Sequence, residues 1–166
     1  MCTSYDTCRD CQPPEDGQPA DENCASVEFK HYYITDHYSV KGADQMKAEL
    51  HAHGPISCGV HATDLFETTY NQIVEGEGDY IYREDVRFPM INHEISVVGY
   101  GKDATTGEEY WKARNSWGTY WGDYGFFYLP MGKASTNLGI ETDCVAGIPS
   151  YEQAASAQLE NSLFFQ

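Results

Sequence analysis

The feature that most restricts the fold is a series of brief apolar or alternating runs, each closed by a Gly, Asp or Pro turn, at residues 56–60, 91–100, 109–113 and 125–129. Runs this short, rich in Val, Ile, Tyr, Trp and Phe, suit half-buried strands rather than helices. HYYI at 31–34 reads as a further strand. Between them, GADQMKAELHAHGP places Met46, Ala48 and Leu50 at helical intervals behind Asp44 and stops at Gly54-Pro55, which predicts one amphipathic helix. One helix followed by several short strands predicts an α+β domain built on an antiparallel sheet or barrel. At 166 residues the chain has room for one core.

Two flanking segments differ from this pattern. Residues 1–24 hold Cys2, Cys8, Cys11 and Cys24 among prolines, with six acidic side chains against one Arg, and read as a cysteine-rich acidic loop. Intervals of five, two and twelve residues lack the paired knuckle of a zinc site, so disulfides are favoured over metal. Residues 151–166 form an Ala- and Gln-rich tail, read as a short terminal helix or a frayed end, which leaves 25–150 as the main domain. The net charge of -16 argues against a nucleic-acid partner, since phosphate binding relies on Lys and Arg. No run of 18 apolar residues predicts a membrane span, and the first residues lack the basic and apolar regions of a signal peptide. Six cysteines nevertheless suit an oxidising compartment, so Met1 is expected not to be the native start.

The chemistry is concentrated in INHEISVVGYG, where His93 opens an apolar strand, and in EEYWKARNSWGTYWGDYGFF, where a strand runs into Asn115 and a Trp- and Gly-rich turn. A lone histidine at a strand start is more often structural than catalytic. The pair changes that balance. An imidazole base needs a partner that fixes its tautomer and ring plane, and an asparagine oxygen can accept its N–H without adding charge. His51 and His53, two residues apart, do not share a helical face and read as exposed. His31, His37 and His61 have no partner visible in the sequence.

With RNSWGxxWGxxGF and the upstream N-H-x-x-S-V-x-G-x-G, the chain resembles the papain-like cysteine peptidases over about residues 2–150. The resemblance implies the right-hand, antiparallel β-barrel-like C-terminal half of that fold, and a peptidase that forms an acyl-enzyme on a peptide or protein substrate. It implies no cofactor or metal. It assigns His93 as the base, Asn115 as its orienter, Trp117 as the cover of their hydrogen bond and Trp121 as a border of the leaving-group side.

Within the family, GPISCG, NLGIE and the early cysteine run are similar to the cathepsin Z subfamily. That likeness implies the pairs Cys11–Cys24 and Cys58–Cys144, leaves Cys2 and Cys8 for partners elsewhere, and allows a carboxypeptidase whose restricting residues lie outside this chain. GFF, GIE and VAGIP lean toward cathepsin B, by which Asp143 would favour a basic substrate side chain two residues before the cut; the plainer reading of Asp143 is a solvated acid. A lysosomal or extracellular location follows from the family and the cysteines.

The expected nucleophile is not in this sequence. In papain-like enzymes the thiol precedes the histidine by about 130 residues or more, in a C-G-S-C-W context. Here 92 residues precede His93, and none of Cys2, Cys8, Cys11, Cys24 or Cys58 has that context. Two functions therefore stand: one half of a peptidase whose other half supplies the thiol and the oxyanion glutamine, or a non-catalytic relative that binds through the old cleft. Cys2 and Cys8 favour the first. A right half alone is also expected to expose an apolar wall.

Overall fold

The computed structural model describes residues 9–11, 24–26, 32–75 and 80–150, with side chains from Tyr32 onward except Glu75. Cys2, Cys8 and the 151–166 tail lie outside the described residues, as do the side chains of Cys11 and Cys24. The chain divides into two units, Met1–Ile34 with Pro149–Gln166, and Thr35–Ile148. In the first, β1 (Arg9–Cys11) pairs antiparallel with β2 (Cys24–Ser26), and the backbone of Cys11 stands opposite that of Cys24.

The main sheet has six strands in the order β3-β8-β4-β5-β6-β7. They are β3 (Tyr33–Val40), β4 (Ile56–Val60), β5 (His93–Lys102), β6 (Glu109–Arg114), β7 (Phe126–Pro130) and β8 (Cys144–Ser150). The four strands read at 56–129 are present with ends shifted by up to two residues. The remaining two differ more. β3 runs well past the HYYI segment because its polar residues are exposed and leave no alternating signature. β8 was not expected at all, since Gly147 and Pro149 disguise it.

Helix α1 (Ala43–Ala52) forms where the spacing predicts it, with Met46 fully buried, Asp44 in its first turn and Gly54 at φ 100 just beyond it. A second helix, α2 (Asp64–Glu75), was missed. The hydroxyl of Thr63 accepts the N–H of Phe66 at 3.0 Å, and Phe66 and Tyr70 fall on one buried face. Those rings pack among Tyr82, Trp121 and Phe127. Burying a side chain of this kind is worth roughly 1.5–3 kcal/mol, which outweighs the modest helix propensity of Thr68, Thr69, Ile73 and Val74.

Beside the start of α1, where the Glu141 carbonyl accepts the Gly42 N–H at 2.9 Å, a polar device holds the core. Glu141 is buried, and its Oε1 accepts both the Trp111 indole N–H and the Gly132 N–H, each at 2.8 Å. Cys58 and Cys144 face one another across β4 and β8, and a disulfide joins them, the pair the family resemblance implies. No helix among the described residues is long and apolar enough to cross a membrane.

Candidate active site

His93 is the first residue of β5, and the chain just before it is pinned twice. The side-chain oxygen of Asn92 accepts the Ala62 N–H at 2.8 Å, while its amide nitrogen donates to the Ala62 carbonyl at 3.0 Å. Its backbone N–H bonds Val60, the register partner of His93 on β4. A strand start held this way fixes where the imidazole emerges.

Asn115 follows the last residue of β6 and opens a loop that closes on itself. Its N–H donates to the Gly125 carbonyl at 2.8 Å, and the Gly125 N–H returns to Trp121 at 2.8 Å. Gly122 sits at φ 61, and a Cβ there would lie 2.5 Å from the Phe126 carbonyl oxygen. This position therefore requires glycine. Helix α2 clamps the loop from beneath: the Glu67 carbonyl accepts the Trp121 indole N–H at 3.1 Å, Asn71 Oδ1 accepts the Gly122 N–H at 2.6 Å, and Tyr70 stacks on Trp121. Nothing in the sequence of α2 pointed to a site. The Thr63 cap and the Phe66, Tyr70, Ile73, Val74 spacing were the only signals available.

The two predicted residues meet. His93 Nε2 and Asn115 Oδ1 are 2.8 Å apart, and the Ser116 backbone N–H also reaches Oδ1 at 2.8 Å. A backbone N–H can only donate, so the atom it meets is the amide oxygen and not the nitrogen. That oxygen can only accept, so Nε2 must carry a proton and donate it. In the neutral ring Nδ1 then holds the lone pair. Ser116, which no motif reading singled out, thereby sets the protonation geometry of His93 through Asn115.

Trp117 stacks on the imidazole, with ring centroids 4.8 Å apart and planes 22° from parallel. Trp121 is buried and meets Trp117 edge-on at 4.8 Å, and its carbonyl, by accepting the Gly125 N–H, also ties it to the Asn115 loop. Asp143 is exposed, and its backbone carbonyl accepts the Gly59 N–H at 2.8 Å. It is not drawn into contact with His93 or Asn115. Cys58 and Cys144 are bonded to each other, so neither offers a thiol.

A cavity of about 310 Å³ adjoins Asn115, lined by Ser57, Glu94, Ser96, Arg114 and Ser116, together with Ile95. Polar side chains border most of it, with Ile95 adding apolar surface. Among the exposed apolar side chains, Phe88, Met90 and Ile91 lie in the segment leading to His93.

An imidazole with a fixed tautomer, oriented by a buried amide and covered by an indole, has the arrangement of an acid–base catalyst for nucleophilic hydrolysis. Residues 4–148 match the papain family cysteine protease pattern. Cathepsin Z of Onchocerca volvulus is 37% identical over 154 residues, covering 89% of this chain and 45% of that protein. Cathepsin C of Schistosoma mansoni is 30% identical over 145 residues, covering 80% of this chain and 31% of its own. The bromelain protease of Ananas comosus, solved with the E64 inhibitor, superposes with a TM-score of 0.52 at 26% identity, covering 70% of this chain and 51% of that one. Procathepsin L 3 of Tenebrio molitor larval midgut gives 0.55 at 23% identity, covering 76% and 37%, and bears on the fold alone. The chain belongs to the papain family of cysteine proteases, and its antiparallel sheet with few helices is the C-terminal half of that fold. It spans less than half the length of the curated relatives it matches.

Proposed function

We propose that this chain supplies the base and its orienter to a cysteine peptidase of cathepsin Z type, the thiol and the oxyanion glutamine coming from residues outside these 166. The observation that carries this reading is the double acceptance by Asn115 Oδ1, which leaves Nδ1 of His93 as the proton-exchanging atom. A thiolate paired with protonated His93 attacks the scissile carbonyl carbon. Nδ1–H then passes its proton to the departing amine, giving an acyl-enzyme. Water next gives a proton to Nδ1 as its oxygen attacks the thioester, and the acid product leaves as the thiolate is restored. His93 ends each cycle as it began.

Trp117 would shield the His93–Asn115 bond, and Trp121 would act by supporting Trp117. The exposed Phe88, Met90 and Ile91 would meet substrate or the thiol-bearing half. Asp143, exposed beside β8, would favour a basic side chain of the substrate. Restriction to carboxy-terminal trimming is the finer expectation, drawn from the cathepsin Z likeness. A secretory-pathway location, lysosomal or extracellular, is supported by the cathepsin relatives and the disulfide.

The test is labelling of the natural, full-length polypeptide with E64, alongside turnover of a fluorogenic peptide. Labelling and turnover are expected in the wild type, and both should be lost in His93→Ala. The 166-residue chain alone should show neither. Turnover that survives His93→Ala, or a natural polypeptide without a reactive thiol, would sink the proposal and leave the non-catalytic binding reading.

A further inference from the structure

The loop that carries Asn115 also builds a concave surface that the His93 chemistry does not use. A cavity of about 450 Å³ is bordered by Tyr80, Tyr124, Tyr128 and Asp123, with Val74, Thr119 and Gly122 completing its wall. It shares no lining residue with the His93–Asn115 pair.

Tyr124 breaks the local rules. It sits at φ 51, in the left-handed region that an L side chain rarely adopts and a bulky one hardly ever. Burial could offset that strain, but Tyr124 is 80% exposed. Packing in the core therefore does not explain why a ring stands here and not a glycine or asparagine. Strain held at an exposed ring is the kind kept for a ligand.

The other groups fit one ligand chemistry. The Tyr128 hydroxyl donates to Asp123 Oδ2 at 2.6 Å, which fixes the carboxylate where it borders the cavity. Burial first, and then the Asp123 carboxylate, push the Tyr128 pKa upward, so this hydroxyl stays a donor at any physiological pH. Tyr80 and Tyr128 lie 6.5 Å apart by ring centroid. The Tyr128 ring already draws the Lys112 ammonium to 5.4 Å from its centroid. Electron-rich ring faces beside one fixed carboxylate favour a cation, and the chain's net charge of -16 adds to that field.

We propose that the Tyr80, Tyr124, Tyr128 and Asp123 cavity binds a basic side chain of a peptide or protein, arginine best, with the guanidinium stacked on tyrosine and paired with Asp123. Arginine is preferred to lysine because its planar head stacks on a ring while its N–H groups reach a carboxylate. The proposal rests on none of the side chains assigned to the peptidase reading, although Gly122 of the Asn115 loop also lines the cavity.

The experiment titrates the 166-residue protein with acetyl-Gly-Arg-Gly-amide, following tyrosine ring signals by NMR and affinity by calorimetry. The comparison peptide carries citrulline, which keeps the shape and removes the charge. Saturable shifts at the lining tyrosines are expected, with the citrulline peptide weaker by about tenfold or more. Asp123→Asn and Tyr124→Ala should each weaken arginine binding by about tenfold. Tyr124→Gly should weaken it similarly while raising the thermal midpoint, because glycine suits φ 51. That variant keeps the test sound if another fails to fold. Equal binding of the two peptides, no binding of either, or unchanged affinity in Tyr124→Gly would overturn the proposal, as would N-acetylglucosamine binding at these tyrosines in place of the arginine peptide.

Discussion

Trp117 lies over the His93 imidazole at 4.8 Å between ring centroids, close enough to parallel to exclude water from one face of the ring. The indole also touches Phe66 and Trp121, so its position is set by the core and not by the ligand. Trp117→Ala opens the His93–Asn115 hydrogen bond to solvent, where it is weaker. We expect turnover by the natural polypeptide to fall by about tenfold, a part of the roughly 10²–10⁴-fold that acid–base catalysis supplies, while Trp117→Phe retains most of it. Steady-state kinetics checks this, with melting curves to separate lost activity from lost fold.

Glu141 tests the core without touching the site. Both of its bonds end on one oxygen, so Glu141→Gln keeps the acceptor for Trp111 and Gly132 and is expected to change stability little. Glu141→Ala leaves the buried Trp111 indole N–H unpaired, at about 1–3 kcal/mol, and also removes the acceptor of the more exposed Gly132 N–H. Urea unfolding of the two variants should therefore separate sharply. Equal loss in both would mean that charge, and not hydrogen bonding, is what the site requires.

Gly122 joins backbone to catalysis. Alanine there would collide with the Phe126 carbonyl and disturb the bond from the Gly122 N–H to Asn71. Gly122→Ala is expected to destabilise the domain by about 1–3 kcal/mol and to lower activity beyond what the loss of folded protein explains. Thermal melts with kinetics on the folded fraction provide the measurement. Normal stability and activity would show that the loop yields more readily than its bonds suggest.

The acid limb of stability has two named sources. The Asp103 carboxylate accepts the Thr106 N–H and hydroxyl and the Thr105 N–H, which hold its pKa below the ordinary 3.8. Lys47, bonded to Glu109, lowers that group from 4.5. A depressed folded pKa gives stability that is complete above the unfolded value and lost as pH falls through the folded one. The thermal midpoint should therefore drop as pH moves from about 5 toward 3, and Asp103→Asn should flatten that fall. Melts across this range, followed by circular dichroism, would show it; a limb unchanged in the variant would count against Asp103.

The sequence exposed different parts of the molecule unequally. The strands around His93 and Asn115 were legible because apolar alternation and glycine turns are local properties, and α1 was legible because Asp44 and Gly54-Pro55 bracket it. Helix α2 was hidden because Thr68, Thr69, Ile73 and Val74 resemble strand residues one by one. Its stability comes from Phe66 and Tyr70 packing on Trp121 and Phe127, partners more than forty residues away. The same limit applied within the site. His93 and Asn115 carried a recognisable motif, whereas Ser116 acts through a backbone N–H and Glu67 through a carbonyl, which residue identity does not reveal.

The cross-link between β4 and β8 bears on how such a protein survives its own chemistry. A cysteine peptidase must keep its nucleophile reduced, and thiol reductants that do so also attack disulfides. Exchange needs an attacking thiolate in line with a sulfur, and Cys58 and Cys144 are both fully buried. The staple is therefore shielded kinetically under the reducing conditions that would arm the partner thiol, and a single milieu can keep one sulfur reactive and two sulfurs locked.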